Sequence, residues 1–341
     1  MRHRQIITLG VLSALLLGGS RQEGYAQSRQ NPHFLPYAEV GFGAGTSTYF
    51  GDMAGYSQPI KSLFTLPRWN VGLMYTRHFT PRFAARASFT WARIAGDDYT
   101  FSKSNPVKYA QQYVRNLHFR NDLKEFSLVG TYDFIPGGRT PRARPKFAPY
   151  LLFGIALVAH NPKALTGRPA EGRPDSTQRW VVLQPLGTEG QQAGGNYPKP
   201  YSLVTISIPM GLGVRYKLNE SFNLAAEVRI TPTITDYLDD VGGPYPNPAD
   251  LAGNTLSQAF SNRAFVTSGP GVALKEPLAA RSGDGRQAGF DKILAAGISP
   301  DQLTARGGVG RRIPLLKDSY LLTSFQIHYI IPAKIKCPPI R

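Results

Sequence analysis

The sequence predicts an all-β protein: an eight-stranded antiparallel up-and-down β-barrel that spans an outer membrane. Three observations predict it. Apolar residues recur at every second position over long stretches, the N-terminus has the pattern of a secretory signal, and short connections alternate with long ones. Period two makes one face of a strand apolar. A tilted strand of about 9–11 residues is long enough to cross a bilayer.

The N-terminus predicts export from the cytoplasm. Arg2 and Arg4 precede an apolar run at 6–17, and small residues follow at 24–26. This is the pattern of a cleaved signal peptide over 1–26, which leaves a periplasmic segment at 27–36. The alternative, an N-terminal membrane anchor, is disfavoured because the apolar run is too short to span as a helix.

The clearest strand pair lies at 201–233. Apolar residues alternate with small or polar ones from Val204 to Tyr216, and again from Phe222 to Ile230. Both arms exceed the five or six residues of a typical soluble strand. Six further stretches complete the predicted eight; the fifth is so uniformly apolar that its lipid-facing side stays open. They are 37–50, 69–79, 83–91, 125–134 and 147–159 before the pair, and 321–329 after it.

The connections predict the orientation. Those at 80–82, 136–146 and 217–221 are short or moderate, and the others are longer. Outer-membrane barrels have short periplasmic turns and long extracellular loops. The predicted barrel covers 37–331, with a large extracellular loop at about 234–317 and a periplasmic tail at 332–341. A secreted β-sandwich or a lipocalin-like barrel is the alternative, but neither requires this alternation.

The polar rows of the strands are predicted to face the lumen. They include charges of both signs in similar number. Because side chains nearly fill an eight-stranded barrel, a paired network is expected rather than a channel lining. Glycines such as Gly43 and Gly211 would leave room for the long side chains. The predicted lumen charge network consists of Glu39, Arg86, Glu125, Asp133, Arg215, Glu227 and Arg229.

Composition bounds the partners. The chain is 42% hydrophobic and carries a net charge of +17. Removing the signal, with three arginines and one glutamate, leaves +15. This excess suits anionic lipid headgroups of the outer membrane or an acidic partner, whereas the export signal argues against nucleic acid. The single cysteine, Cys337, excludes a disulfide framework and a cysteine-based metal site. No cofactor or small-molecule substrate is expected.

Several segments between and beside the strands are distinctive. They are 49–52, 94–98, 115–119, 161–164, 182–191 and 235–241. Together with the last strand and 337–338, they resemble the PorG-like family of outer-membrane barrels associated with the type IX secretion system. The resemblance implies a non-enzymatic structural component that connects the outer membrane to periplasmic ring proteins. Residues 243–312 depart from the pattern, and the family contains many members of unassigned role.

Two features are predicted to face a partner. Arg139, Arg142, Arg144 and Lys146 form a basic cluster in the longest periplasmic turn. Attraction to lipid headgroups and docking to an acidic ring protein both explain it. Cys337 lies beyond the last strand, where an unpaired thiol forms an intermolecular disulfide or stays unreactive.

Other motifs predict little chemistry. The pairs Asp97-Asp98 and Asp239-Asp240 suit calcium by ligand type, but turn capping is the commoner role and no metal site is predicted. No catalytic motif is present, so no enzyme is expected. Four histidines are scattered over four elements, and a short helix is predicted at 291–297. The rival functions are a stand-alone barrel whose loops bind ligands or other surfaces, and a barrel enzyme.

Overall fold

The computed structural model describes residues 34–53, 59–165, 179–263, 285–298 and 317–331. Within them the chain forms eleven strands, most of which pair antiparallel with their neighbours in sequence. The strands are β1 (Tyr37–Phe50), β2 (Arg68–His78), β3 (Phe83–Asp97), β4 (His118–Asp133), β5 (Phe147–Ala159), β6 (Lys163–Leu165), β7 (Trp180–Val182), β8 (Val204–Ser207), β9 (Met210–Lys217), β10 (Phe222–Pro232) and β11 (Ser319–Ile331).

The sheet closes into an eight-stranded barrel, in which β8 and β9 count as one strand and the β6–β7 hairpin lies outside the ring. Strand β1 pairs with β2 on one side and with β11 on the other, so no edge remains between the first and last strands. Strands β8 and β9 lie end to end and together occupy one strand position beside β5. They are separated at Pro209, which has no N–H to donate, although its carbonyl still accepts from Gly154 N at 3.0 Å. The predicted fold class is confirmed.

Two strands run further than their apolar alternation. β3 ends at Asp97 and β4 begins at His118, and these two residues pair at the end of the ladder. The prediction stopped at 91 and started at 125 because Arg93 and Asp122, which also pair, are charged. Alternation of apolar residues marks only the part of a strand that faces lipid. The extra length lies on the side of the long connections. The β6–β7 hairpin also lies there, beside β4, and was not predicted.

The helices lie in the long connections. They are α1 (Pro59–Thr65), α2 (Asp98–Ser102), α3 (Ala110–Arg115), α4 (Thr255–Ser261) and α5 (Gly285–Ala295). The helix predicted at 291–297 is the end of α5, and Gly297 follows it with φ of 77°. No helix in the described ranges is long and apolar enough to cross a membrane.

An apolar belt surrounds the barrel. On β10, for example, Leu224, Val228 and Ile230 are exposed, while Glu227 and Arg229 between them are buried. The structure also decides the facing of β5, because Phe153 and Ile155 are each 63% exposed. Aromatic side chains edge the belt at the short-turn end, where Phe79, Phe83, Phe134, Phe147, Tyr216 and Tyr329 are exposed. Rings of this kind mark a membrane interface.

Candidate functional site

The lumen is the first candidate site. All seven residues of the predicted lumen charge network lie inside the barrel, and each is at most 6% exposed. Alternation brings them there from five strands, β1, β3, β4, β9 and β10, and Tyr150 of β5 joins the network. Each charge has an oppositely charged neighbour within 4 Å.

Two ion pairs occupy the middle of the lumen and its long-loop end. Arg86 Nη1 lies 2.5 Å from Glu227 Oε2, which also accepts from the Tyr150 hydroxyl at 2.8 Å. Arg229 Nη2 lies 2.7 Å from Glu125 Oε1. A buried charge is tolerated when it is paired and its remaining atoms are hydrogen-bonded. The tyrosine hydroxyl supplies such a bond and was not predicted from the sequence.

A third group occupies the short-turn end. Arg215 reaches Asp133 at 3.1 Å and Glu39 at 3.8 Å. His78 and His328 approach Glu39 Oε1 at 3.4 and 3.5 Å, so two of the scattered histidines come together. Their inward positions on alternating strands were the signal that could have placed them in the lumen.

These side chains fill the barrel. A void in the lumen, beside Arg86, Glu227 and Arg229, measures about 30 Å³, which is enough for about one or two ordered waters. Two glycines make the fit possible. A Cβ at Gly213 would lie 2.3 Å from the Tyr150 ring, and one at Gly41 would lie 2.7 Å from His328. In its described part, the lumen is therefore a packed core rather than an open pore.

The long connections build a second layer over one end of the barrel. We call it the loop cap; it comprises residues 49–53, 97–117, 182–191 and 235–243 together with Asp318. At its centre the Tyr49 hydroxyl lies 2.6 Å from Asp239 Oδ2 and 2.8 Å from Asp318 Oδ1. Burial and neighbouring carboxylates raise the pKa of both Asp239 and Asp318 well above the usual range. The Tyr49 hydroxyl has one proton, so it can donate to only one of these two carboxyl groups. In the other hydrogen bond a protonated carboxyl group donates to the hydroxyl oxygen.

Asp240, the second residue of the pair Asp239-Asp240, and Glu189 hold two of the distinctive segments together. Asp240 accepts from Thr188 Oγ1 at 2.5 Å and from the Tyr201 hydroxyl at 2.6 Å. Glu189 Oε1 accepts from the amides of Gly242 and Gly243 at 2.9 and 3.0 Å. Residues 182–191 and 235–241 thus pack against each other, although of their residues only Val182 belongs to a strand.

A buried ion pair fixes the other edge of the loop cap. Arg115 holds Asp98 through two hydrogen bonds, at 2.7 and 2.8 Å, and donates to the Asp52 carbonyl at 2.8 Å. Asp97 caps α2 by accepting from Tyr99 N at 3.0 Å. Both acidic pairs thus cap and join loops. Within the described ranges no group of three or more acidic, histidine or cysteine side chains is placed to hold a metal.

The basic turn lies at the opposite end. Arg139, Arg142 and Lys146 are exposed, whereas Arg144 is only 8% exposed. The Arg144 guanidinium donates to Asn223 Oδ1 at 3.2 Å and to the carbonyls of Asn219 and Glu220 at 3.0 and 3.1 Å. Arg144 therefore ties two turns together, and its predicted contact with a partner stays a prediction.

Three of the predicted features fall outside the described residues. They are the signal peptide at 1–26, the tail at 332–341 and Cys337 within that tail. Their predicted roles stay predictions.

Comparison with known proteins adds little beyond the architecture. A family model described as a domain of unknown function, DUF6089, matches residues 34–178, less than half of the chain. No curated protein sequence matches.

Solved barrels of low similarity match the coordinates. Neisserial surface protein A is 12% identical with a TM-score of 0.31, over 57% of this chain and 82% of that one. OprG of Pseudomonas aeruginosa is 9% identical with a TM-score of 0.31, over 88% of this chain and 98% of that one. The N-terminal barrel domain of OprF from the same organism is 9% identical with a TM-score of 0.30, over 87% and 100%. The strand pairing itself establishes the fold here: the closed wall and its apolar belt are those of an outer-membrane protein.

Proposed function

We propose that this chain is a structural, non-enzymatic barrel of the type IX protein secretion machinery. In this proposal it contacts a periplasmic ring partner through its short turns and its C-terminal tail. The observation that carries the proposal is the combination of a filled lumen with a basic turn held rigidly at the periplasmic end. The first argues against transport through the barrel, and the second offers a surface to a partner.

The filled lumen favours an anchoring role. A channel needs a continuous aqueous path, whereas the space beside Arg86, Glu227 and Arg229 inside the barrel measures about 30 Å³. Opening a path would separate pairs such as Arg86–Glu227 and leave their charges buried. The loop cap would also have to open, because Tyr49, Asp239 and Asp318 are buried where it meets the barrel.

The basic turn favours a periplasmic partner of acidic character. Arg139, Arg142 and Lys146 project from a turn that Arg144 fixes to its neighbour. Arg142 meets Glu220 at 3.1 Å, but both side chains are more than 60% exposed. Exposed pairs of this kind contribute about 0–1 kcal/mol, so Arg142 stays available to a stronger acidic partner. The resemblance to PorG-like barrels supplies the identity of that partner, a ring protein of the secretion machine.

The test replaces the three exposed basic residues by glutamine: Arg139→Gln, Arg142→Gln and Lys146→Gln. The barrel should fold normally, lose co-purification with the ring after mild cross-linking, and reduce secretion of cargo. The matched control replaces Lys103, Lys108 and Lys292, which are exposed in the long connections, and should leave both readouts unchanged. Co-purification that survives the first set of changes would reject the docking surface.

One observation favours the rival role in binding ligands or other surfaces. Helix α1 exposes Ile60 at 73% and Phe64 at 80%, one helical turn apart on the long-loop side. A pair of this kind suits contact with another apolar surface. Deletion of the gene separates the two functions. Loss of cargo secretion supports the export role, whereas normal secretion with lost adhesion or uptake supports surface binding.

A further inference from the structure

A groove lies on the outer face of the barrel, on the long-loop side of the apolar belt. Its volume is about 380 Å³, and it is bounded by the start of β2, the end of β3, the start of β4 and the β6–β7 hairpin. We call it the rim groove. Its polar and aromatic lining includes Arg68, Trp69, Arg93, Asp97, Arg120 and Trp180.

The rim groove carries more positive than negative charge, because three arginines face one carboxylate in its lining, Asp97, and one beside it, Asp122. Arg93 is paired with Asp122 at 2.5 Å. Asp97 is engaged in capping α2. Within the described ranges neither Arg68 nor Arg120 forms an ion pair, and the Nε of Arg120 is buried without a hydrogen-bond partner. Two guanidinium groups therefore have donors available for an anion.

Aromatic rings hold two of the arginines in place. The Arg120 Cζ lies 4.1 Å from the centre of the Trp180 ring, and the Arg93 Cζ lies 5.3 Å from that of Trp69. Stacking of a guanidinium on an indole leaves its N–H edge free to bind in the plane. That edge matches the geometry of a phosphate, which accepts two parallel hydrogen bonds from one arginine.

The position of the groove indicates where the anion comes from. Trp69 and Trp91 pack edge to face at 5.1 Å on its membrane side, and tryptophan is enriched at the level of lipid headgroups. Beyond them the outer face of β2 continues with Leu73, which is 62% exposed. A molecule seated in the groove can therefore rest its acyl chains on the belt.

We propose that the rim groove binds the phosphate-bearing headgroup of a lipid in the outer leaflet. Arg68 and Arg120 contact the phosphate, Trp180 orients Arg120, and the acyl chains lie along β2 and β3. The site is independent of the periplasmic turn and of the role in secretion. It fixes the height of the barrel in the membrane at one side of the wall.

The test measures binding of phosphatidic acid to the detergent-solubilised full chain by native mass spectrometry. The double variant Arg68→Gln, Arg120→Gln should bind phosphatidic acid about 25-fold more weakly than the wild type, from about fivefold for each basic residue. Neither residue is in an ion pair within the described ranges, so the double variant should keep the circular dichroism of the wild type. Phosphatidylcholine, whose choline cation cancels the charge of its phosphate, should not be retained by either protein.

The matched control is Lys108→Gln with Lys292→Gln, which removes the same charge from exposed positions in the long connections, outside the lining of the rim groove. It should change binding less than twofold. Equal losses in the two double variants would overturn the proposal, because attraction would then follow total charge. Wild-type binding in Arg68→Gln, Arg120→Gln would also overturn it. So would displacement of the lipid by an equal concentration of inorganic phosphate, which would identify a free-phosphate site.

Discussion

At the scale of single residues, the barrel is specified by charges that only an enclosed lumen can satisfy. The sequence predicts that Glu227 faces inward because its neighbours Ala226 and Val228 belong to the apolar row, and in the structure those two residues are exposed. Its partner could not be read from the sequence. Arg86 lies 141 positions away. Three strands lie between β3 and β10 in either direction around the closed sheet, so the two strands face each other only across the lumen. Alternation gives the face that a side chain occupies, whereas pairing depends on closure and register.

Glu227→Gln should lower the free energy of unfolding by about 3–5 kcal/mol, because it leaves the Arg86 guanidinium buried without its acid partner. The measurement is the urea midpoint of the barrel refolded in lipid vesicles. The double variant Arg86→Gln, Glu227→Gln should be less destabilised than the sum of the two single variants. Additive losses would mean that the pair is not coupled.

The Tyr49 group predicts a dependence on pH. Burial and the neighbouring carboxylates raise the pKa of Asp318 well above its usual range. A carboxyl group with a raised pKa in the folded state contributes stability that is fully present below the unfolded pKa. That stability is lost as pH rises through the folded pKa. The loop cap should therefore loosen as the solution becomes more alkaline.

Hydrogen exchange of the Leu238 amide, which donates to Asp318 Oδ2 at 2.8 Å, measures this loosening between pH 6.5 and 9. Burial lowers the pKa of His160 to about 4, so that residue stays neutral throughout. Exchange at Leu238 should accelerate with pH more than exchange at an amide of β10 in the same sample. Asp318→Asn, which cannot ionise, should abolish the difference in acceleration between Leu238 and the β10 amide. If that difference persists in the variant, ionisation of Asp318 is not its cause.

At the scale of elements, the membrane-facing parts of the strands were predictable and their extensions were not. Trp91 ends the apolar row of β3, yet the ladder with β4 continues through Arg93 to Asp97. Beyond the lipid, outward residues no longer need to be apolar, so the signal that identifies a strand disappears while the hydrogen bonding continues. For β5 the opposite held: apolar residues on both faces concealed the side that meets lipid.

Ile155→Arg tests the belt. Ile155 is 63% exposed on β5 and pairs with Leu128 of β4, so an arginine there should cost about 2–4 kcal/mol of barrel stability in lipid. Phe64→Arg is the control, because Phe64 is 80% exposed on α1, outside the belt. Its unfolding midpoint should stay close to that of the wild type. Equal effects of the two substitutions would mean that β5 does not face lipid.

At the scale of the whole molecule, the sequence predicts the barrel and its orientation but not the loop cap. The hydroxyl of Tyr49 meets Asp239 across 190 positions of sequence. No periodic pattern encodes a contact between two irregular segments. The motifs at 182–191 and 235–241 were recognisable as unusual, and the structure gives the reason. They fold against each other with buried polar side chains, which require specific partners.

The sidedness of the barrel follows from this arrangement. Single cysteines introduced into a Cys337→Ser background would report it through reaction with a maleimide attached to a large polyethylene glycol. Lys103 lies in a long connection, Arg139 lies in the basic turn, and Leu212 is 60% exposed on the belt. Each position therefore samples one environment: the cell exterior, the periplasm or the lipid.

Labelling of intact cells tests the central claim most directly. Lys103→Cys should react in intact cells, and Arg139→Cys should react only after the outer membrane is permeabilised. Leu212→Cys should stay unreactive in both conditions and react only once the protein is denatured, although its side chain is exposed on the protein surface. Reaction of Leu212→Cys at the rate of Lys103→Cys would mean that the belt faces water and that the barrel does not span the membrane.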